Sequence, residues 1–63
     1  MFEIYFDGSG VRLLGTADDE VQATFMAEAW SRNADEQVHV RLQGEATARW
    51  TYLKGVKIFG LDH

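Results

Sequence analysis

The chain has 63 residues, 46% of them apolar, with no cysteine, no proline and a net charge of −4. That length holds one domain, residues 1–63, and leaves no room for a second. The missing cysteines exclude disulfides and thiolate zinc sites and fit a reducing compartment. No apolar run approaches the ~20 residues of a spanning helix, and no basic stretch leads into an apolar one, so the expected place is the cytoplasm, without a membrane.

So short a chain is marginal alone. Apolar burial is worth about 90 kcal/mol at ~25 cal/mol per Å², and ordering the chain costs about 95 kcal/mol at ~1.5 kcal/mol per residue. Oligomerisation is the staple left to a domain without disulfides. The charge is uneven. Residues 1–36 hold eight acids and two bases, whereas residues 37–63 hold two acids and four bases. The acidic half disfavours general nucleic-acid affinity, while the basic half leaves room for a local anion site.

In chain order, Phe2 to Phe6 alternates, with Phe2, Ile4 and Phe6 on one face and Glu3 and Tyr5 on the other, which predicts a strand. Asp7-Gly8-Ser9-Gly10 is a turn cluster. Val11 to Gly15 resumes the strand pattern. Pairing Phe6 with Val11, Tyr5 with Arg12 and Ile4 with Leu13 keeps the apolar residues together.

A helix is expected from about Asp18 to Asn33, with Thr16 or Asp18 as N-cap and Asp19 and Glu20 favoured by the dipole in the first turn. Phe25, Ala29, Met26, Trp30, Ala23 and Ala27 spread over about 200° of it. One sheet face needs a stripe of roughly 100°. Either Phe25 and Ala29 meet the sheet and Met26 and Trp30 meet something else, or the reverse. The expected oligomer interface is Met26, Trp30, Ala23 and Ala27.

Gln37 to Gln43 alternates again, with Val38, Val40 and Leu42 inward and His39 and Arg41 outward. Ala46 to Leu53 follows, with Ala48, Trp50 and Tyr52 on one face. A three-residue loop, Gly44 to Ala46, pairs Leu42 with Ala48, Val40 with Trp50 and Val38 with Tyr52. Lys54-Gly55 turns the chain into a last strand, Val56 to Leu61, whose register the pattern leaves open. The expected fold is α+β, in the order β-β-α-β-β-β, an antiparallel sheet with one helix packed on one face.

The motifs commit no chemistry. Asp7-Gly8-Ser9-Gly10 resembles the middle of a calcium loop, but Tyr5 and Thr16 then fall where carboxylates are needed. The same glycines lack the lysine and the helix of a phosphate cradle. His39 and His63 have no metal-ligand spacing and no serine partner, and His39 reads as a solvated strand residue. No catalytic residue, metal or cofactor is expected, and the reading is non-enzymatic.

The most informative face is the outer side of the second hairpin. The register sets Arg41 opposite Arg49 and His39 opposite Thr51, and like charges across a ladder repel. Either a nearby acid such as Glu3 or Glu45 offsets this, or an anion does. The candidate anion or partner face is therefore His39, Arg41, Arg49 and Tyr5. The leading expectation is a protein-interaction module, homo-oligomeric with the dimer as simplest form, serving an accessory or regulatory role. The alternative is a single-stranded nucleic-acid or anion binder on the arginine face.

Overall fold

In the computed structural model, which describes residues 1–60, the elements follow the expected order. They are β1 (Phe2–Phe6), β2 (Arg12–Ala17), α1 (Glu20–Asn33), β3 (Val38–Leu42), β4 (Trp50–Leu53) and β5 (Val56–Gly60). The five strands form one antiparallel sheet in the order β2-β1-β3-β4-β5. The alternating patterns dictate which side the helix covers. Ile4, Val38, Val40, Trp50 and Tyr52 point to it and join Ala17, Ala23 and Ala27 in the buried core.

The helix starts at Glu20, two residues later than expected. Asp19, with extended backbone, is the N-cap and accepts from the Gln22 amide at 2.8 Å. Gln22 reaches back to accept from the Asp18 amide at 3.1 Å, so the side chains satisfy two donors near the helix start. Asp19 is the cap because its carboxylate stands three residues before the Gln22 amide that it accepts from.

The wide apolar arc of α1 divides differently from either expected split. Ala23, Ala27 and Ser31 are the helix residues fully buried against the sheet, and Met26 packs beside them. Trp30 lies at the flank, edge-on to Phe6 with ring centroids 6.5 Å apart. Phe25 and Val21 are left facing away from the sheet, 70% and 80% exposed. The reason is geometric: the small alanines let the helix approach closely, and residues on the far side then reach nothing.

Ser31 ties the helix to the last hairpin. Its hydroxyl accepts from the Gly55 amide at 2.9 Å and donates to the Glu28 carbonyl at 3.0 Å. Lys54 and Gly55 both have positive φ, 55° and 83°, which suits the two-residue turn between paired Leu53 and Val56.

Two register expectations change, and the register left open for the last strand is set. In the first hairpin, Phe6 pairs with Arg12, Tyr5 with Leu13 and Ile4 with Gly15. A bulge at Leu14 turns that residue, rather than Leu13, toward the core. In the second, Val38 pairs with Tyr52 and Val40 with Trp50 as expected. The expected Leu42–Ala48 pair is absent, because residues 43–49 form a loop closed by the Arg49 amide donating to the Val40 carbonyl at 2.7 Å. The last strand pairs Thr51 with Phe59 and Tyr52 with Lys57, leaving Ile58 as the extra residue of a bulge. Its expected final residue, Leu61, lies outside the described residues, as does His63. No helix among the described residues is long and apolar enough to cross a membrane.

Candidate functional site

The sheet face turned away from α1 carries a linked polar cluster. β1 contributes Glu3 and Tyr5, β3 contributes His39 and Arg41, and β4 contributes Thr51. The pairings set Tyr5 beside His39, Glu3 beside Arg41, and His39 beside Thr51. Asp7, directly after β1, completes the cluster.

His39 is buried, which corrects its reading as a solvated strand residue. Its Nε2 lies 2.8 Å from Asp7 Oδ1, and its Nδ1 lies 2.8 Å from Thr51 Oγ1. A carboxylate only accepts, so Nε2 donates to Asp7. In the neutral imidazole Nδ1 then accepts, and the Thr51 hydroxyl donates to it. The Tyr5 ring packs alongside, with centroids 5.3 Å apart. Burial followed from neighbours far away in sequence, Tyr5 and Asp7, which the alternation of β3 alone does not reveal.

Tyr5 is also buried, although it faces away from the helix. The Arg41 guanidinium carbon lies over its ring at 4.5 Å from the centroid. Burial pushes the Tyr5 phenol above its ordinary pKa, against the opposing pull of Arg41. Arg41 Nε donates to Glu3 at 2.8 Å, and that bond holds the guanidinium above its usual range.

The two arginines do not face each other unpartnered. Arg41 is taken by Glu3. Arg49, which lies in the loop rather than in β4, donates twice to Glu45, at 3.0 and 3.1 Å. Arg49 holds the Glu45 carboxyl below its ordinary range, chiefly through that hydrogen bond. The acids in question are the two named from the sequence as the simple offset. The structure thus brings together Tyr5, His39 and Arg41 but sets Arg49 apart from them. Asp7 and Thr51 are the members that sequence reasoning did not assign to a site. The pairing of Thr51 with His39 was the available signal for one, and nothing local signalled the other.

An aspartate–histidine–hydroxyl chain has the form of a nucleophile and its base. Here the hydroxyl belongs to a buried residue in mid-ladder, paired directly with His39. The hydrogen-bonded chain ties the hairpin turn to β3 and β4. Among the described residues, no group of three histidines or carboxylates could hold a metal ion.

The expected oligomer residues are distributed unevenly. Ala23 and Ala27 are fully buried in the chain's own core and have no surface left for a partner. Met26 packs against that core. Trp30 remains 43% exposed and, with Ala29 and Asn33, lines a shallow cleft of about 270 Å³. Other large uncovered apolar side chains lie at Met1, in the first hairpin at Val11 and Leu13, on the back of α1 at Val21 and Phe25, and along β5 at Val56, Ile58 and Phe59. No protein-family model matches the chain, and neither the curated proteins nor the solved structures compared with it include a similar one.

Proposed function

We propose that the chain is a small, non-enzymatic protein-interaction module of the cytoplasm that works as a homo-oligomer, a dimer in its simplest form, in an accessory or regulatory role. The observation that carries this reading is the uncovered apolar surface of β5. Val56, Ile58 and Phe59 are all at least half exposed in one five-residue strand. Three large apolar side chains left uncovered on so short a strand fit an interaction site in a soluble protein. The chain's small size supports the same reading, because a partner adds burial that one short helix on one sheet face does not supply.

The non-enzymatic part rests on the polar cluster. The one imidazole among the described residues is engaged at both nitrogens, and its hydroxyl partner is buried. The anion-binding alternative loses its main support, since Glu3 and Glu45 already neutralise Arg41 and Arg49. Light scattering on the full chain at micromolar concentration tests the proposal. The expected mass is that of a dimer, and a clean monomer of full thermal stability overturns it.

A further inference from the structure

Asp7 is the one aspartate of the chain that precedes a glycine. Such a pair carries a spontaneous reaction of its own. The Gly8 amide nitrogen attacks the carbon of the protonated Asp7 carboxyl, a new C–N bond closes an imide ring, and one carboxyl oxygen leaves as water. Water then adds back. When it opens the ring at the Asp7 main-chain carbonyl, the chain runs on through the side-chain carbons, and the residue has become isoaspartate. One water leaves and one returns, so nothing is oxidised and no co-reactant is needed. Gly8 has no side chain to hinder the approach or to narrow the backbone's freedom.

The turn has the exposure this reaction requires. Residues 7–10 are all exposed, and the β1–β2 ladder ends at the pair Phe6–Arg12, before Gly8. Exposed loop tips are where a backbone opens most readily. The Asp7 carboxyl is the part that is held. Its one side-chain hydrogen bond among the described residues comes from His39, whose Nε2–H donates to Oδ1 at 2.8 Å. β1 lies between β2 and β3 in the sheet. The chain leaves Asp7 through Gly8 toward β2, while the carboxyl is drawn the other way, to a buried ring on β3. Attack needs the carboxyl carbon turned back onto the Gly8 amide, and the tie to His39 keeps it from turning.

From this geometry we infer that Asp7–Gly8 is an isomerisation site guarded by His39: the link is stable while the imidazole holds the carboxyl, and it converts when the tie opens. Reclosing does not undo the conversion. Isoaspartate carries its free carboxyl on Cα instead of Cβ, and its main chain is longer by one carbon. The reach that set Oδ1 2.8 Å from the ring is then lost. A turn that stays open long enough to convert is therefore left untied from the sheet.

The test follows isoaspartate at Asp7 over weeks in warm, neutral buffer, by peptide mapping with an aspartate-specific protease that does not cut at isoaspartate. The full chain is incubated folded, and unfolded in guanidinium chloride. Asp7 is expected to convert in the unfolded chain and at least severalfold more slowly in the folded one. His39→Ala, checked for its fold by circular dichroism, is expected to lose most of that protection. His39→Met fills the space of the ring without an N–H donor, and it replaces the alanine variant if that one does not fold. Thr51→Val also removes a buried hydrogen bond but keeps the Nε2–H donor, so it is expected to stay protected. Equal conversion of the folded and unfolded wild type overturns the guard, as does a folded His39 variant that converts as slowly as the wild type. Acceleration by Thr51→Val equal to that by the His39 variant overturns it as well, since general loosening would then be the cause. An unfolded chain that forms no isoaspartate at Asp7 overturns the site itself.

Discussion

His39 presents its Nε2 to Asp7 Oδ1 at 2.8 Å across 32 positions of sequence. It thereby fastens the turn of the first hairpin to the middle of the sheet. The same ring holds Thr51 through its other nitrogen, so one imidazole on β3 links the first hairpin's turn to β4 on the face that the helix does not cover.

Removing that ring should cost more than removing either partner. His39→Ala leaves the Thr51 hydroxyl buried without its acceptor, a loss of about 1–3 kcal/mol. Thr51→Val keeps the shape and costs about 1 kcal/mol, through the unpaired Nδ1. Asp7 is half exposed, so water replaces it and Asp7→Asn costs less than either. Urea denaturation of the three variants gives the order, and equal losses for His39→Ala and Asp7→Asn would contradict it.

The neutral pairing of the arginines leads to a second expectation. Glu3 and Arg41 are each about four-fifths buried at the side chain, so Glu3→Gln should cost about 1–2 kcal/mol. Glu45 and Arg49 are more exposed and form within one loop, so Glu45→Gln should be near neutral. The double variant frees two guanidinium groups. It should acquire weak, salt-sensitive binding to single-stranded oligonucleotides that the wild type lacks, read by fluorescence anisotropy at low salt. Equal binding by the wild type would restore the arginine face as a native anion site.

What was legible from the sequence followed the periods. The alternation of Val38, Val40 and Leu42 against Trp50 and Tyr52 identified the register of the central hairpin, because any one-residue slip would expose a whole apolar face. The bulge at Leu14 was not legible. Leu13 and Leu14 are chemically equivalent, and only the tertiary position of the helix, with Met26 over Gly15, selects between them. The burial of His39 was hidden for a related reason: a strand pattern gives the direction of a side chain, not what covers it. The helix arc was correctly read as too wide, but small residues took the sheet contact and Phe25 was left over. Helical spacing alone does not rank alanine above phenylalanine for a close approach.

Gly60 is a position where a methyl group has no room. Its φ of 153° is a backbone state that side chains rarely adopt, and an added Cβ would overlap Trp50 Cδ1. Trp50 is buried in the core and tilted against Phe2, with ring centroids 5.5 Å apart. Gly60→Ala should therefore displace that indole and cost about 1–3 kcal/mol. Near-ultraviolet circular dichroism and the denaturation midpoint report both effects together. A midpoint unchanged from the wild type would show that the strand end moves aside freely.

Tyr5 makes stability depend on alkaline pH. Burial raises its pKa in the folded chain above the ordinary phenol value, the Arg41 guanidinium only partly opposing this. The unfolded chain therefore releases the Tyr5 proton first as pH rises, and between the two pKa values the folded state binds more protons. Stability from this group is fully present below about pH 10 and is lost as pH climbs from there through the folded pKa. The measurement is the urea midpoint at about pH 8 and about pH 11 for the wild type and for Tyr5→Phe. The variant loses the phenol's contact with Arg41 and starts lower at neutral pH. It also lacks the group that ionises, so its midpoint should fall less between the two conditions. An equal fall in both proteins would place the alkaline sensitivity elsewhere, and the buried face around Tyr5 would then tolerate the phenolate.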